Sequence, residues 1–241
     1  MRRFVQTLSA ETLPADFGAD ITATLEALPD RYNIGVRDTA AIVLDHGDGI
    51  GTLEAAWGLI PAWSKLPETK YTTVTARLQR APRSRIFRKP WESRRCVVPM
   101  SGYYKWDRTH TPPVPYFIQP QDGQALLAAG LWEVWEKGDA PLRSFAVLTH
   151  PNPAIPAPLV ADGPIFLRAD RWRDWIGGPW FPMRFLTGMP QPVLHAYPVS
   201  RAIRDRARDD YTLLEPVDPR DEERIAETDD AMDEDEDEDG D

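Results

Sequence analysis

The chain has 241 residues, 42% of them apolar, with 24 Pro and 15 Gly, which fits one globular domain of many short elements joined by turns and argues against long helices. One cysteine, Cys96, and four scattered histidines exclude a disulfide framework and any His/Cys metal-ligand spacing, so no metal and no other cofactor is expected. No run approaches the ~20 apolar residues that span a bilayer, and the start lacks the apolar core of a secretion signal; the expectation is a cytoplasmic protein with no membrane partner.

In chain order, Phe4–Leu8 reads as a first strand, and Asp20 as the N-cap of a short helix with Ile21, Leu25 and Leu28 on one face. Ala40–Leu44 and Thr52–Leu59 flank a Gly-Asp-Gly turn, a hairpin signal. Cys96-Val-Val-Pro leads into a strand over Ser101–Trp106. Pro115–Pro120 and Gln124–Trp135 flank the turn Gln121-Asp122-Gly123, and Ser144–Thr149 is a compact apolar strand. Asp170–Ile176 has helical spacing stopped by Gly177, and His195–Val199 and Thr212–Leu214 read as closing strands. Many short strands with few helices give an α+β domain over residues 1–216 around an antiparallel or mixed sheet.

The net charge of −10 hides a division. Residues 217–241 hold 15 of the 38 acids and 2 of the 28 basic residues, while residues 1–216 carry 26 basic and 23 acidic ones, a net of +3. Asp233–Asp239 is an unbroken acidic run, so 217–241 reads as a self-repelling tail unable to bury enough apolar surface to order. Between Lys70 and Arg95 nine basic residues face a single acid, Glu92, the footprint of a surface meeting phosphates.

Five segments in order resemble the SRAP family, the abasic-site-binding "SOS response-associated peptidase" proteins. They are Arg31-Tyr-Asn-Ile34, Trp57-Gly-Leu-Ile-Pro-Ala-Trp63, Thr75-Ala-Arg77 with Arg85-Ile-Phe87, Arg95–Trp106 and Tyr197-Pro-Val-Ser200. The resemblance implies a single SRAP-like domain with an open, barrel-like sheet. It also implies a site in which the thiol and α-amine of a processed N-terminal cysteine close a thiazolidine on the aldehyde of an abasic site in single-stranded DNA. In that family an asparagine, a glutamate and a histidine surround the cysteine.

This chain departs from the pattern at most of those positions. It begins Met1-Arg2-Arg3-Phe4, which places Met1 where the cysteine would sit, and Arg2 should block removal of methionine. A thioether supplies no thiolate, and Cys96 lies in an apolar strand context where thiols are inert. Lys105 stands at the glutamate position and Val160, which cannot transfer a proton, at the histidine position. Asn33 alone is retained. The family's crosslinking and self-processing are therefore expected to be lost.

Of the DNA-contacting positions, Arg77 and Arg85 match the family and Arg80, Arg83 and Arg88 add charge around them. Trp63 matches an aromatic beside the DNA, although core packing is an equal reading. Thr75 replaces an asparagine, and Thr149 matches a pocket threonine. The leading expectation is a non-catalytic binder of single-stranded or abasic DNA, nucleoid-associated when bound. An alternative is an abasic-site lyase that forms an imine through the Met1 amine or through Lys105, should burial lower its pKa; the blander reading of Lys105 is a solvated or salt-bridged cation near phosphate. A further alternative is an interaction scaffold working through the 217–241 tail, which could bind a basic protein or fold back as a DNA mimic.

Overall fold

A computed structural model describes residues 1–68 and 73–221. Lys70 and the acidic run Asp233–Asp239 lie outside the described residues. Thirteen strands lie among the described residues: β1 (Phe4–Gln6), β2 (Arg31–Ile34), β3 (Thr39–Asp45), β4 (Ile50–Trp57), β5 (Thr75–Arg77), β6 (Arg95–Met100), β7 (Gly102–Asp107), β8 (Val114–Pro120), β9 (Leu126–Trp135), β10 (Leu142–Pro151), β11 (Asp162–Pro164), β12 (Phe166–Leu167) and β13 (Leu194–Pro198). Four complete short helices lie among the described residues: α1 (Ala19–Glu26), α2 (Arg88–Ser93), α3 (Trp172–Ile176) and α4 (Pro182–Thr187).

The larger sheet runs β10-β4-β3-β6-β9 and closes, because β9 also pairs with β10 from Leu142↔Trp135 to Val147↔Gly130. The expected α+β class and barrel-like sheet are borne out, with the barrel closed by that ladder. Its strands read as continuous apolar runs because both faces are buried. Ala41, Val43, Val97, Ala129 and Leu131 pack with Leu25 of α1, Trp91 of α2, Trp172 and Trp175 of α3 and Leu186 of α4. The alternate residues Ile42, Leu44, Cys96, Val98 and Ala128 pack with Phe4, Ile34, Tyr103 and Ile118 of a second sheet.

That second sheet has the order β13-β8-β7-β1-β2. Only Ser101 separates β6 from β7, yet the two strands belong to different sheets. The crossing needs glycine: a Cβ on Gly102 would sit 2.3 Å from Phe117 Cζ and 2.5 Å from the Ile118 carbonyl oxygen. Gln6 ties the sheets together from β1. Its buried amide donates to the carbonyls of Ala41 (2.9 Å) and Pro99 (2.8 Å), and its Oε1 accepts from the Ala41 N–H (2.9 Å). Trp57, fully buried, stacks edge-on with Phe4 across the same boundary.

Several element expectations need correction. The first strand stops at Gln6, because the Thr7 N–H turns to Ser101 Oγ. Gly18, with φ 81°, caps α1, and Asp20 lies inside the first turn. β8 and β9 flank the Gln121-Asp122-Gly123 turn as expected, and they enter different sheets. Thr212–Leu214 is no strand: Asp210 accepts from the Thr212 N–H and winds Tyr211–Leu214 into a 3-10 turn. The elements β2, β5, β11, β12, α2 and α4 were not anticipated. No described helix is long and apolar enough to cross a membrane.

Candidate functional site

β10 carries functional candidates on both flanks. On one side β5 pairs parallel to it, Thr75 with Val147 and Arg77 with Thr149. On the other side β11 pairs antiparallel, setting Pro164 against the same Thr149. Thr149 is buried at the junction, and its carbonyl accepts from the Leu78 N–H at 2.9 Å.

The β5 side is a basic cleft. Ala76, Leu78 and Ala81 are fully buried and pin the segment to the core, so the alternating residues between them face outward. Thr75, Arg77, Gln79, Arg80, Arg83, Ser84 and Phe87 line a cleft of about 500 Å³. Among the described residues, Arg77, Arg80, Arg83 and Arg88 are exposed and have no carboxylate within ion-pair distance. Trp63 stands on the surface at 43% exposure and is no core residue. The Arg85 guanidinium covers one face of its ring at 4.4 Å, and its indole N–H donates to the Arg85 carbonyl at 3.2 Å.

The basic stretch is not one surface. Arg95 is only 8% exposed; it stacks on Trp175 and Trp91 (5.0 and 5.9 Å to the ring centroids) and donates to the Trp91 carbonyl at 3.0 Å. Arg94 pairs with buried Glu133 beneath Trp132. Both belong to packing, which cuts the exposed stretch off at Lys89. The sequence alone counted them as surface charge because the burial comes from the distant Trp175 and Glu133.

Across β10 the amines of Met1 and Lys105 cluster about Asp162. Lys105, on β7, is 8% exposed, and its ammonium donates to the Asp162 carbonyl at 2.6 Å. It is therefore not the solvated cation of the blander reading. Burial pulls its pKa down, with the Asp162 carboxylate opposing. The Met1 α-amine is lowered from 8.0 to about 6, first by burial and next by the Lys105 ammonium, again with Asp162 opposing. Tyr103, two residues before Lys105, is fully buried, and its hydroxyl has no hydrogen-bond partner among the described residues.

The remaining candidates fall apart from this cluster. Asn33 is buried, its Oδ1 accepting from Arg3 at 2.5 Å and its Nδ2 donating to the carbonyls of Asp205 (2.9 Å) and Arg208 (2.7 Å). Its amide thus fixes Arg3, two residues from Met1, against the 203–208 segment. Val160 is 65% exposed, and Asp162, two residues on, is the member of that segment that meets the amines. Sequence reasoning passed over Asp162, although a carboxylate two residues from Val160 was a signal. Cys96 has no exposure; burial raises its thiol pKa and keeps it protonated.

The family profile described as "SOS response associated peptidase (SRAP)" matches residues 2–206. The abasic site processing protein YoqW of Bacillus subtilis is 24% identical over 190 residues, covering 76% of this chain and 85% of that protein. The abasic site processing protein YedK of Escherichia coli is 24% identical over 224 residues, covering 89% and 99%. An abasic site processing protein of Saccharomyces cerevisiae reaches 33% identity over 134 residues, but the match spans 55% of this chain and only 35% of that protein. A crystal structure of a Bacteroides thetaiotaomicron protein superposes with a TM-score of 0.73 at 19% identity, over 90% of this chain and all of that one, a likeness of fold. With the profile matching residues 2–206 of its 241 residues, the chain belongs to the SRAP family.

Proposed function

We propose that the protein binds single-stranded DNA carrying an abasic site, gripping the phosphates in the β5 cleft. The supporting observation is the row of exposed arginines, Arg77, Arg80 and Arg83, lining one cleft with no carboxylate partner among the described residues. Unpaired guanidiniums facing solvent are poised to release counterions from a phosphate backbone. Relatives named as abasic site processing proteins support the choice of lesion. The test is titration of abasic and intact single strands at several salt concentrations. The reading requires binding that weakens steeply with salt; its absence would sink the proposal.

A second reading is supported by the lowered basicity of the Met1 amine. An amine with a pKa of about 6 is mostly neutral at pH 7, so its lone pair can attack an aldehyde carbon. The carbinolamine would lose water to give an imine, and elimination of the 3′ phosphate would follow. No thiol is placed to close a thiazolidine: Met1 holds a thioether, and the Cys96 thiol is buried and protonated. The linkage would stay hydrolysable. Borohydride should trap it as a covalent adduct on abasic DNA, and without borohydride no adduct should survive a denaturing gel. A stable adduct without reductant would refute the loss of crosslinking.

A further inference from the structure

The strongest charge contrast in the molecule lies between its cleft and its own C-terminal segment. Residues 222–241 contain 13 acids and one basic residue, Arg224. Arg77, Arg80 and Arg83 line the cleft, and Arg88 and Lys89 stand exposed on α2 beside it. Twenty extended residues reach up to about 70 Å. A folded body of this size has a radius of gyration of only about 17 Å, so every face is within reach of a chain leaving Asp221.

Within that segment Asp233–Asp239 is seven consecutive acids, a continuous run of like charge opposite in sign to the arginines of the cleft. Tethering raises the local concentration of such a run to roughly millimolar, enough to compete with weakly held nucleic acid.

We propose that residues 222–241 occupy the β5 cleft in the DNA-free protein as an internal substitute for phosphates, and that DNA must displace them. This rests on the DNA-binding reading of the cleft. The tail then acts as a threshold: strands held only by backbone charge are rejected, whereas a strand with an added anchor at the amine cluster wins the exchange.

Two measurements on the full chain test this. A carbodiimide joins carboxylates to neighbouring lysine amines, and Lys89 lies exposed on the cleft's margin. A link from residues 222–241 to Lys89 is expected, lost in about 0.5 M salt, where charges are screened within ~4 Å, and lost when Arg77, Arg80 and Arg83 are changed to Gln. Replacing every Asp by Asn and every Glu by Gln over 233–239 should tighten binding of an oligothymidylate about tenfold at about 50 mM salt and steepen its salt dependence. Absence of the Lys89 link, or links scattered over other lysines, overturns the proposal, as does unchanged affinity in a protein that does bind. If no form of the protein binds the oligonucleotide, the DNA-binding reading fails, while the link still decides where the tail rests.

Discussion

The cleft and the amine cluster hang on opposite flanks of β10 but are built on opposite principles. The cleft is exposed, redundant and electrostatic: Arg77, Arg80, Arg83 and Arg88 all face solvent, and any phosphate within a Debye length senses them together. The cluster is buried and singular, and the chemistry of each amine depends on the atoms packed around it. A surface of the first kind keeps its character through many substitutions. A centre of the second kind changes its chemistry with one.

The largest effect should come from the bond between the sheets that carries Met1. Gln6→Leu leaves the Ala41 N–H and the carbonyls of Ala41 and Pro99 without partners, at a cost of about 3 kcal/mol in urea unfolding. It should reduce borohydride trapping while leaving oligonucleotide affinity intact; an equal loss of both would break the separation drawn above. Next comes the triple change of Arg77, Arg80 and Arg83 to Gln. It should weaken single-strand binding roughly a hundredfold at low salt and make the salt slope shallower by about 2. Trapping from saturating DNA should survive.

Lys105→Met sharpens the account of the cluster. Below about pH 6 the Met1 amine is protonated and cannot attack, so trapping should rise through that pH and level off above it. Removing the Lys105 cation removes a cause that lowers the Met1 pKa. The midpoint should therefore move up, but only slightly, since burial is the larger cause. Complete loss of trapping would assign Lys105 as the nucleophile. The smallest effect belongs to Cys96→Ala, about 1 kcal/mol of stability with trapping and binding unchanged.

Much of the barrel was legible in the sequence. Runs such as Ala40–Leu44 and Ser144–Thr149 are apolar on both faces because both faces are covered, and the Gly-Asp-Gly turn sets the β3–β4 register. The closure of β9 on β10 was not legible, since local pattern carries no record of which distant strand completes a ladder. The 3-10 turn at Tyr211–Leu214 was misread because its apolar residues look like a strand while one carboxylate, Asp210, decides the winding. In the site, the arginines from Arg77 to Arg88 could be read directly as surface charge. The burial of Arg95 and Lys105 and the ion pair of Arg94 could not, because their partners Trp175, Asp162 and Glu133 lie far along the chain.

β10 pairs with β5 on one flank and β11 on the other through the same residue, Thr149. It serves both halves as a single ruler. Deleting one residue within it would shift Arg77 and Asp162 against it together and turn alternate side chains to the wrong face, so both halves would fail at once. Substitutions on β5 or β11 touch one half at a time.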